Sequence, residues 1–367
     1  MKILKKIGIG IGALVALLII LIFAYGCYMQ ANYYRIADHK QLTVHNNQSS
    51  QLQLGKQYTA TTYNVGFGAY NHDFDFFMDT GELKDGTKVK GHRGTAISKQ
   101  AVLDSTNGVI DTMKAQNADF MFFQEIDTNS TRSKHVPQVS MLEQAFNHYA
   151  STFAVNFHTA FIAVPIYDPH GIANSGLLSL SRYQIDNAER RKYPVSSSFI
   201  SKFVDLDRCF SVMRMPVKDG KDLVMINSHM SAYDKGGKMR KAQMKLLNGI
   251  MEKEYQAGNY VIVGGDFNFA LGQDMIMHFA NGEKRPEWVS DIDQSMLPEG
   301  ITMVKAQNRE TVPTVRGAEM KYDPKVNYMT ICDGFFVSNN VKATATDIDT
   351  DFRYADHNPV KLEFTLE

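Results

Sequence analysis

Asp266 and Asn268 lie two residues apart in Val261-Ile262-Val263-Gly264-Gly265-Asp266-Phe267-Asn268, just beyond an apolar, β-branched run. A carboxylate only accepts hydrogen bonds and a carboxamide also donates them, so such a pair can hold and orient a water molecule. Taken alone, Gly-Asp-x-Asn describes a surface turn equally well. Four other segments share the design. Thr59 to Val65 carries Asn64 ahead of Gly66 and Gly68, and Phe120 to Glu125 ends in a carboxylate. Leu223 to His229 ends in an imidazole, and Tyr354 to Val360 sets Asp356-His357 just before a final apolar run.

Glu125 and Asp356, with the Asn64 carbonyl, offer hard oxygen donors that suit Mg²⁺ or Mn²⁺. No His-x-x-His or Cys-x-x-Cys spacing favours zinc. His229 and His357 bring the groups best suited to proton transfer near neutrality. Asp266 can orient a water or take its proton, and Asn268 can donate to a developing negative charge. A hard cation, a water-orienting carboxylate and imidazoles make up a kit for phosphate-ester hydrolysis. No Walker loop or serine-nucleophile elbow competes with it.

For these groups to act together, several strand ends must converge. Apolar strand runs recur around 175–180, 209–215, 222–228, 260–264, 331–337 and 359–366. Ser98 to Gln116 starts on an N-cap residue and carries Val102, Val109, Ile110 and Met113 at helical spacing. Gly237 to Glu254 reads as a second helix, with Lys235, Lys238, Arg240, Lys241 and Lys245 forming a solvated basic face. Mixed strands and helices with no dividing linker predict one α/β sandwich domain over residues 56–367. Tyr70 to Thr95 is long for a loop. Its Phe74, Phe76, Phe77 and Met78 are expected to pack on the core or line a cleft.

The amino terminus has another purpose. Lys2, Lys5 and Lys6 precede a stretch without charge from Ile7 to Met29. As a helix this spans about 34 Å, enough for a ~30 Å hydrocarbon core. It exceeds the apolar region of a cleaved signal peptide. Residues 1–29 are therefore expected to be a signal anchor, 30–55 a polar tether, and the remainder extracytoplasmic by the positive-inside rule. Ala24-Tyr25-Gly26-Cys27 is a poor match to a lipoprotein cleavage box.

Charge and cysteine content narrow the class. The chain has 39 basic and 39 acidic residues. Setting aside the three anchor lysines leaves 36 against 39, or −3, without the global basic bias of a protein held to long nucleic acids. Cys27, Cys209 and Cys332 are too few for a disulfide framework, and the latter two read as small core residues. An exported domain of this kind points to a bacterial source.

In their order along the chain these segments resemble the endonuclease/exonuclease/phosphatase superfamily, over about residues 56–367. The resemblance implies a four-layered α/β sandwich, two packed mixed sheets flanked by helices, here preceded by one transmembrane helix. It gives Asn64, Glu125 and Asp356 to the metal site, with Glu125 the principal Mg²⁺ ligand. His229 and His357 would be the catalytic histidines, and Asp266 and Asn268 would position water and phosphate. Asp333, in Cys332-Asp333-Gly334-Phe335-Phe336, would orient His357, although Gly334 stands where many members have Tyr.

Arg132 follows the metal glutamate closely enough to be a candidate phosphate contact, as is Arg93 in the long aromatic loop. Arg182 lies in a Ser-Arg-Tyr segment like one that often ends a strand in the family. The expected protein is a membrane-anchored, extracytoplasmic, Mg²⁺- or Mn²⁺-dependent phosphoesterase acting on a phospholipid head group or other small phosphodiester. An exported nuclease acting on DNA or RNA is the alternative enzyme, and a catalytically inactive binding module the alternative from another class. No protein partner can be inferred.

Overall fold

The apolar runs become strands because each is covered on both faces. Along Tyr260–Asp266, Tyr260 and Ile262 enter one apolar cluster, while Val261 and Val263 enter another on the opposite face. Leu223–His229 behaves alike, with Leu223 and Met225 on one side and Val224 and Ile226 on the other. The computed structural model describes residues 2–196, 198, 201–233, 235–280 and 282–367.

Among the described residues, the strands form two large sheets. In one the order is Lys40–Gln41, Asn187–Lys192, Cys209–Met215, Leu223–His229, Tyr260–Asp266, Asp333–Ser338 and Ile301–Val304. In the other it is Val341–Asp347, Val360–Leu366, Gln57–Asn64, Phe120–Asp127, Asn174–Ser181 and Ala150–His158. Both are mixed: 223–229 runs parallel to 260–266, and 57–64 parallel to 120–127, amid antiparallel neighbours. The sheets pack face to face around Tyr58, Phe120, Phe122, Met225, Ile262 and Phe335.

Helices complete four layers. We label as α1 to α4 the helices Lys2–Ala31, Lys99–Gln116, Gln138–Ala145 and Lys238–Gln256. Val109, Ile110 and Met113 of α2 and Leu142 of α3 cover Met121 and Phe123 on the outer face of one sheet. Met244, Leu247 and Met251 of α4 cover Val224, Val261 and Phe336 on the other. α2 begins where its N-cap predicts, with Ser98 Oγ accepting from Ala101 N at 3.0 Å. It ends on Asn117 in the left-handed conformation, φ 48°.

The tether expectation changes, the long aromatic segment packs on the core as expected, and three strands escape the apolar-run reading. Residues 30–55 are not a free tether. Lys40–Gln41 adds to the edge strand Asn187–Lys192, His45 bridges to Ser151, and Leu52 is fully buried in the inter-sheet core. A strap of this kind covers strand edges that would otherwise present unpaired backbone groups. The Tyr70–Thr95 segment buries Tyr70, Phe74 and Phe76 with Phe67 and Val102, then forms a small hairpin, Thr80–Glu82 against Lys88–Lys90. Strands 150–158, 187–192 and 341–347 carry too much polar alternation to stand out as apolar runs. α1 is long and apolar enough from Ile3 to Ala31 to cross a membrane by length and composition.

Candidate active site

Strand register places the first set of groups. His229 pairs with Asp266 across the parallel ladder, and Asp266 with Asp333 across the antiparallel one. The three form one row at one sheet end, on the face turned toward the second sheet. Gly265 makes this possible: a Cβ there would lie 2.0 Å from the Ser228 carbonyl oxygen of the adjacent strand. Only glycine lets the two strands approach at this point.

The opposing sheet supplies Asn64 and Glu125 by different means. Asn64 ends its strand on the inward parity set by Tyr58, Ala60 and Thr62. Simple alternation along Phe120–Asp127 turns Gln124 inward and would turn Glu125 outward with Met121 and Phe123. The register against Asn174–Ser181 slips between Phe123 and Ile126, and Glu125 has φ 52°. This bulge re-aims the carboxylate. Glu125 Oε1 then lies 3.4 Å from Asn64 Nδ2 and 3.8 Å from His229 Nε2. Gln124 stays inward and ties the sheets together, donating to Asn227 Oδ1 at 2.7 Å.

Asp266 is the centre of the set. It accepts from Asn64 Nδ2 at 3.0 Å, Asn268 N at 2.9 Å and Asn268 Nδ2 at 3.1 Å. His229 Nε2 lies 3.5 Å from Asp266 Oδ2, and His357 Nε2 3.9 Å from the same oxygen. Burial alone would raise its pKa, but the His357 imidazolium and the Asn268 and Asn64 donors outweigh that and hold the carboxylate ionised. Asn268 also donates to the Met230 carbonyl at 3.0 Å. Its amide hydrogens thus serve Asp266 and the backbone, so it positions the carboxylate.

The two histidines are driven to opposite protonation states. His229 is lowered well below the usual imidazole range, first by burial and then by the Arg208 charge. Arg208 Nη1 donates to His229 Nε2 at 2.7 Å, so Nδ1 carries the ring proton. Nδ1 faces the Asn156 carboxamide, 3.4 Å from Nδ2. Turning that amide over would give its partnerless oxygen the proton to accept. His357 goes the other way. Burial lowers it, but Asp333, Asp266 and Asp356 outweigh burial and raise it to about 10. Its Nδ1 donates to Asp333 Oδ2 at 2.8 Å.

Two carboxylates are left for a cation. Asp356 Oδ1 is buried without a hydrogen-bond partner, and burial, with Glu125 adding to it, pushes the carboxyl up to about 6. An orphaned buried carboxylate oxygen that feels the charge of another carboxylate fits a divalent ion. Gly66 keeps the way open, since a Cβ there would lie 2.9 Å from Asp356 Oδ1. Among the described residues another donor group, Asp266, Cys332, Asp333 and His357, has its atoms within 4.8 Å of one another. That group lacks a hydrogen-bond partner only at Asp333 Oδ1, and its other members are committed to one another. His357 is a cation bonded to Asp333, and burial, then Asp333 and Asp266, hold the Cys332 thiol protonated. Asn64 turns its two amide atoms to different partners. Its Oδ1 accepts from Gly66 N at 3.0 Å, and its nitrogen faces Asp266 and Glu125.

The predicted substrate arginines lie elsewhere. Arg132 is buried, bonded to Asp127 through Nε and Nη2 at 3.1 and 2.9 Å, and stacked 4.0 Å from the Phe67 ring centroid. Its guanidinium is a structural clamp and is spent. Arg182 sits beside Ser181, which pairs with Phe120 at the strand end opposite Glu125, and it bonds Asn117. Arg93 bridges to Phe76 on the surface loop. Arg240 departs from the expected solvated face: it is fully buried and donates to the Asn268 carbonyl. Arg208 was missed, because only its contact with His229 marks it out. Its Nε is buried without a partner. Asp79 of the long loop also reaches the site. Tyr233 donates to it at 2.6 Å; burial, joined by Glu319, Asp356 and Glu125, pushes it up to about 8.

The model of the Endonuclease/Exonuclease/phosphatase family matches residues 61–357. The fold is similar to the endonuclease/exonuclease/phosphatase from Beutenbergia cavernae DSM 12333, with TM-score 0.55, 13% identity, and 85% of this chain and 72% of that chain covered. It is also similar to D. rerio TDP2 complexed with single strand DNA product, with TM-score 0.51, 16% identity and coverage of 84% and 99%. A third similar structure is ANGEL2, a 2',3'-cyclic phosphatase, with TM-score 0.52, 12% identity and coverage of 88% and 97%. At these identities the likeness shows the fold. Comparison with curated proteins gives no match.

Proposed function

The chain belongs to the endonuclease/exonuclease/phosphatase family, and we propose that it is a membrane-anchored, extracytoplasmic, Mg²⁺-dependent phosphodiesterase acting on a phospholipid head group or another small phosphodiester. Members of the family are hydrolases of phosphate esters and generally depend on a divalent metal. The observation that carries the reading is the ionised Asp266 between a neutral His229 and a cationic His357, at 3.5 and 3.9 Å. Titratable groups pushed apart in this way divide acid from base.

Glu125 and Asp356 would hold the cation, whose chemistry when bound is to polarise a phosphoryl oxygen and offset its charge. Asp266 accepts a hydrogen bond from the attacking water and aligns it, with Asn64 and Asn268 fixing the carboxylate. His357, fixed by Asp333, presents its Nε2–H to the phosphate and neutralises charge that develops there. Arg208 adds a second positive charge from the His229 side. As the water oxygen bonds to phosphorus its proton passes to Asp266, and the ester oxygen leaves opposite it with the proton of His357 Nε2, with no covalent enzyme intermediate.

Full-length protein in nanodiscs should hydrolyse bis-p-nitrophenyl phosphate with Mg²⁺ or Mn²⁺. Asp266→Ala and His357→Ala should each abolish turnover while keeping the unfolding transition. Activity retained in both would discard the site; no turnover by wild type with any metal would favour the binding module.

The anchor and the lack of basic bias support the lipid head group. The single strand DNA product held by D. rerio TDP2 favours the nuclease as the second reading. Parallel assays on plasmid DNA, RNA and phospholipid vesicles separate the two. Protection of the catalytic domain from protease on intact cells would count against export.

A further inference from the structure

The chain carries an apolar loop fastened to the end of its anchor helix, and we infer that this loop, residues 161–172, seats in the membrane interface. The inference rests on the anchor reading of α1 and is independent of the substrate. The loop is built, closed by a two-way backbone bridge between Ile162 and Gly171 at 3.0 Å each way and by His170 N to Val164 O at 3.0 Å. Its outer surface exposes Phe161, Val164, Ile166, Tyr167 and Ile172, with Ile166 at 88% and Tyr167 at 73%. Contiguous apolar exposure of this kind marks a binding surface.

The polar groups of the loop are turned inward. Asp168 is the only acidic or basic residue from Phe161 to Ile172 apart from His170. Its carboxylate accepts from Gly94 N, Thr95 N and Thr95 Oγ1 at 2.9, 3.1 and 2.7 Å. His170 is buried, with Nδ1 against the Gly94 carbonyl at 2.7 Å. The most exposed side chains are therefore apolar, with Asp168 half-buried and held by its three hydrogen bonds, a composition that sits stably where acyl chains meet head groups.

The position of the loop identifies what it meets. Tyr25 and Tyr28 lie in the last two turns of α1, where a spanning helix places its aromatic belt. Tyr25 hydroxyl donates to Phe161 O at 3.0 Å and accepts from Ala163 N at 3.1 Å. Tyr28 hydroxyl accepts from Phe161 N at 3.1 Å. The loop is thus fixed at the depth of the belt, beside the helix that enters the bilayer. Tyr167 continues the link, donating to the His92 carbonyl at 2.9 Å, in the segment where Arg93 bridges to Phe76. Anchor, loop and long aromatic segment form one unit that fixes the catalytic domain against the membrane surface.

Tryptophan quenching tests this in the full-length protein. Ile166→Trp, Leu17→Trp and Leu54→Trp would be reconstituted separately into phosphatidylcholine/phosphatidylglycerol vesicles with and without brominated acyl chains. Wild type, whose one tryptophan is Trp288, supplies the baseline. Leu17→Trp in the anchor sets full quenching, and Leu54→Trp, an exposed position in the strap, sets none. The inference expects the added Ile166→Trp emission to lose at least half its intensity to brominated lipid, with a blue-shifted maximum. Quenching at Leu17→Trp but not at Ile166→Trp overturns the role of the loop alone. Absence of quenching at both overturns the anchor with it, and equal quenching at Leu54→Trp overturns the specificity of the contact.

Discussion

Replacing Asp333 by Asn should move the alkaline limit of activity downward, because it removes the strongest attraction on the His357 proton. His357 rises from 6.5 to about 10 in the fold. At ~1.36 kcal/mol per pH unit this is roughly 5 kcal/mol of preference for the imidazolium. Asp333, bonded to Nδ1 at 2.8 Å, leads the attractions, followed by Asp266 and Asp356. Taking roughly half of the preference away brings the midpoint to about 8. Asn keeps the shape of Asp and can still accept from Nδ1, so orientation survives while the charge is lost. The assay is kcat/KM for bis-p-nitrophenyl phosphate from pH 6 to 10.5 at saturating Mg²⁺. Wild type should hold its rate until the pH approaches 10, whereas Asp333→Asn should fall from about 8, with a roughly tenfold excess loss at pH 9 over pH 6. Stability follows the same sign. A raised histidine stabilises fully below its unfolded value of 6.5, and this is lost as pH rises through about 10 in wild type and about 8 in the variant. An alkaline limb unchanged in Asp333→Asn would refute the assignment of His357 as a working cation.

Chelation by EDTA should abolish turnover and Mg²⁺ restore it, and Glu125→Gln should raise the Mg²⁺ concentration for half-maximal rate at least ~100-fold. Because Asp356 ionises only above about 6, that concentration should also climb in wild type as pH falls below 6. Gly265→Ala should lower stability by ~3 kcal/mol or more, since its Cβ would meet the Ser228 carbonyl at 2.0 Å. Gly249→Ala, at an exposed position of α4 with nothing within 4 Å, should raise it by ~0.5–1 kcal/mol, both read by thermal unfolding. Arg132→Met should destabilise by ~3–5 kcal/mol through the orphaned Asp127 carboxylate, yet leave KM unchanged in the folded fraction. A large rise in KM would return Arg132 to the substrate.

Sequence alone determined the strands that carry the site and much of the order in which chemistry appears along them. Alternating burial on two faces writes itself as continuous apolar runs, and the polar residue ending each run is conspicuous for that reason. His229, Asp266 and Asn64 were legible because each keeps the parity of its own strand. The helix start at Ser98 was legible because a capping hydroxyl acts within three residues.

Tertiary structure decided whatever depends on partners distant in sequence. Parity would have turned Glu125 away from the site, and only the bulge against 174–181 turns it in. The division of labour between two identical imidazoles came from Arg208 beside one and Asp333 beside the other. Arg132 and Arg208 look alike in the chain, but a neighbouring carboxylate commits the first, while the second meets the His229 ring. The polar strap 30–55 looked free because the edges it covers belong to strands more than a hundred residues later. Local periodicity fixes which face a side chain takes on its own strand, whereas its charge state and employment depend on what the fold sets opposite it.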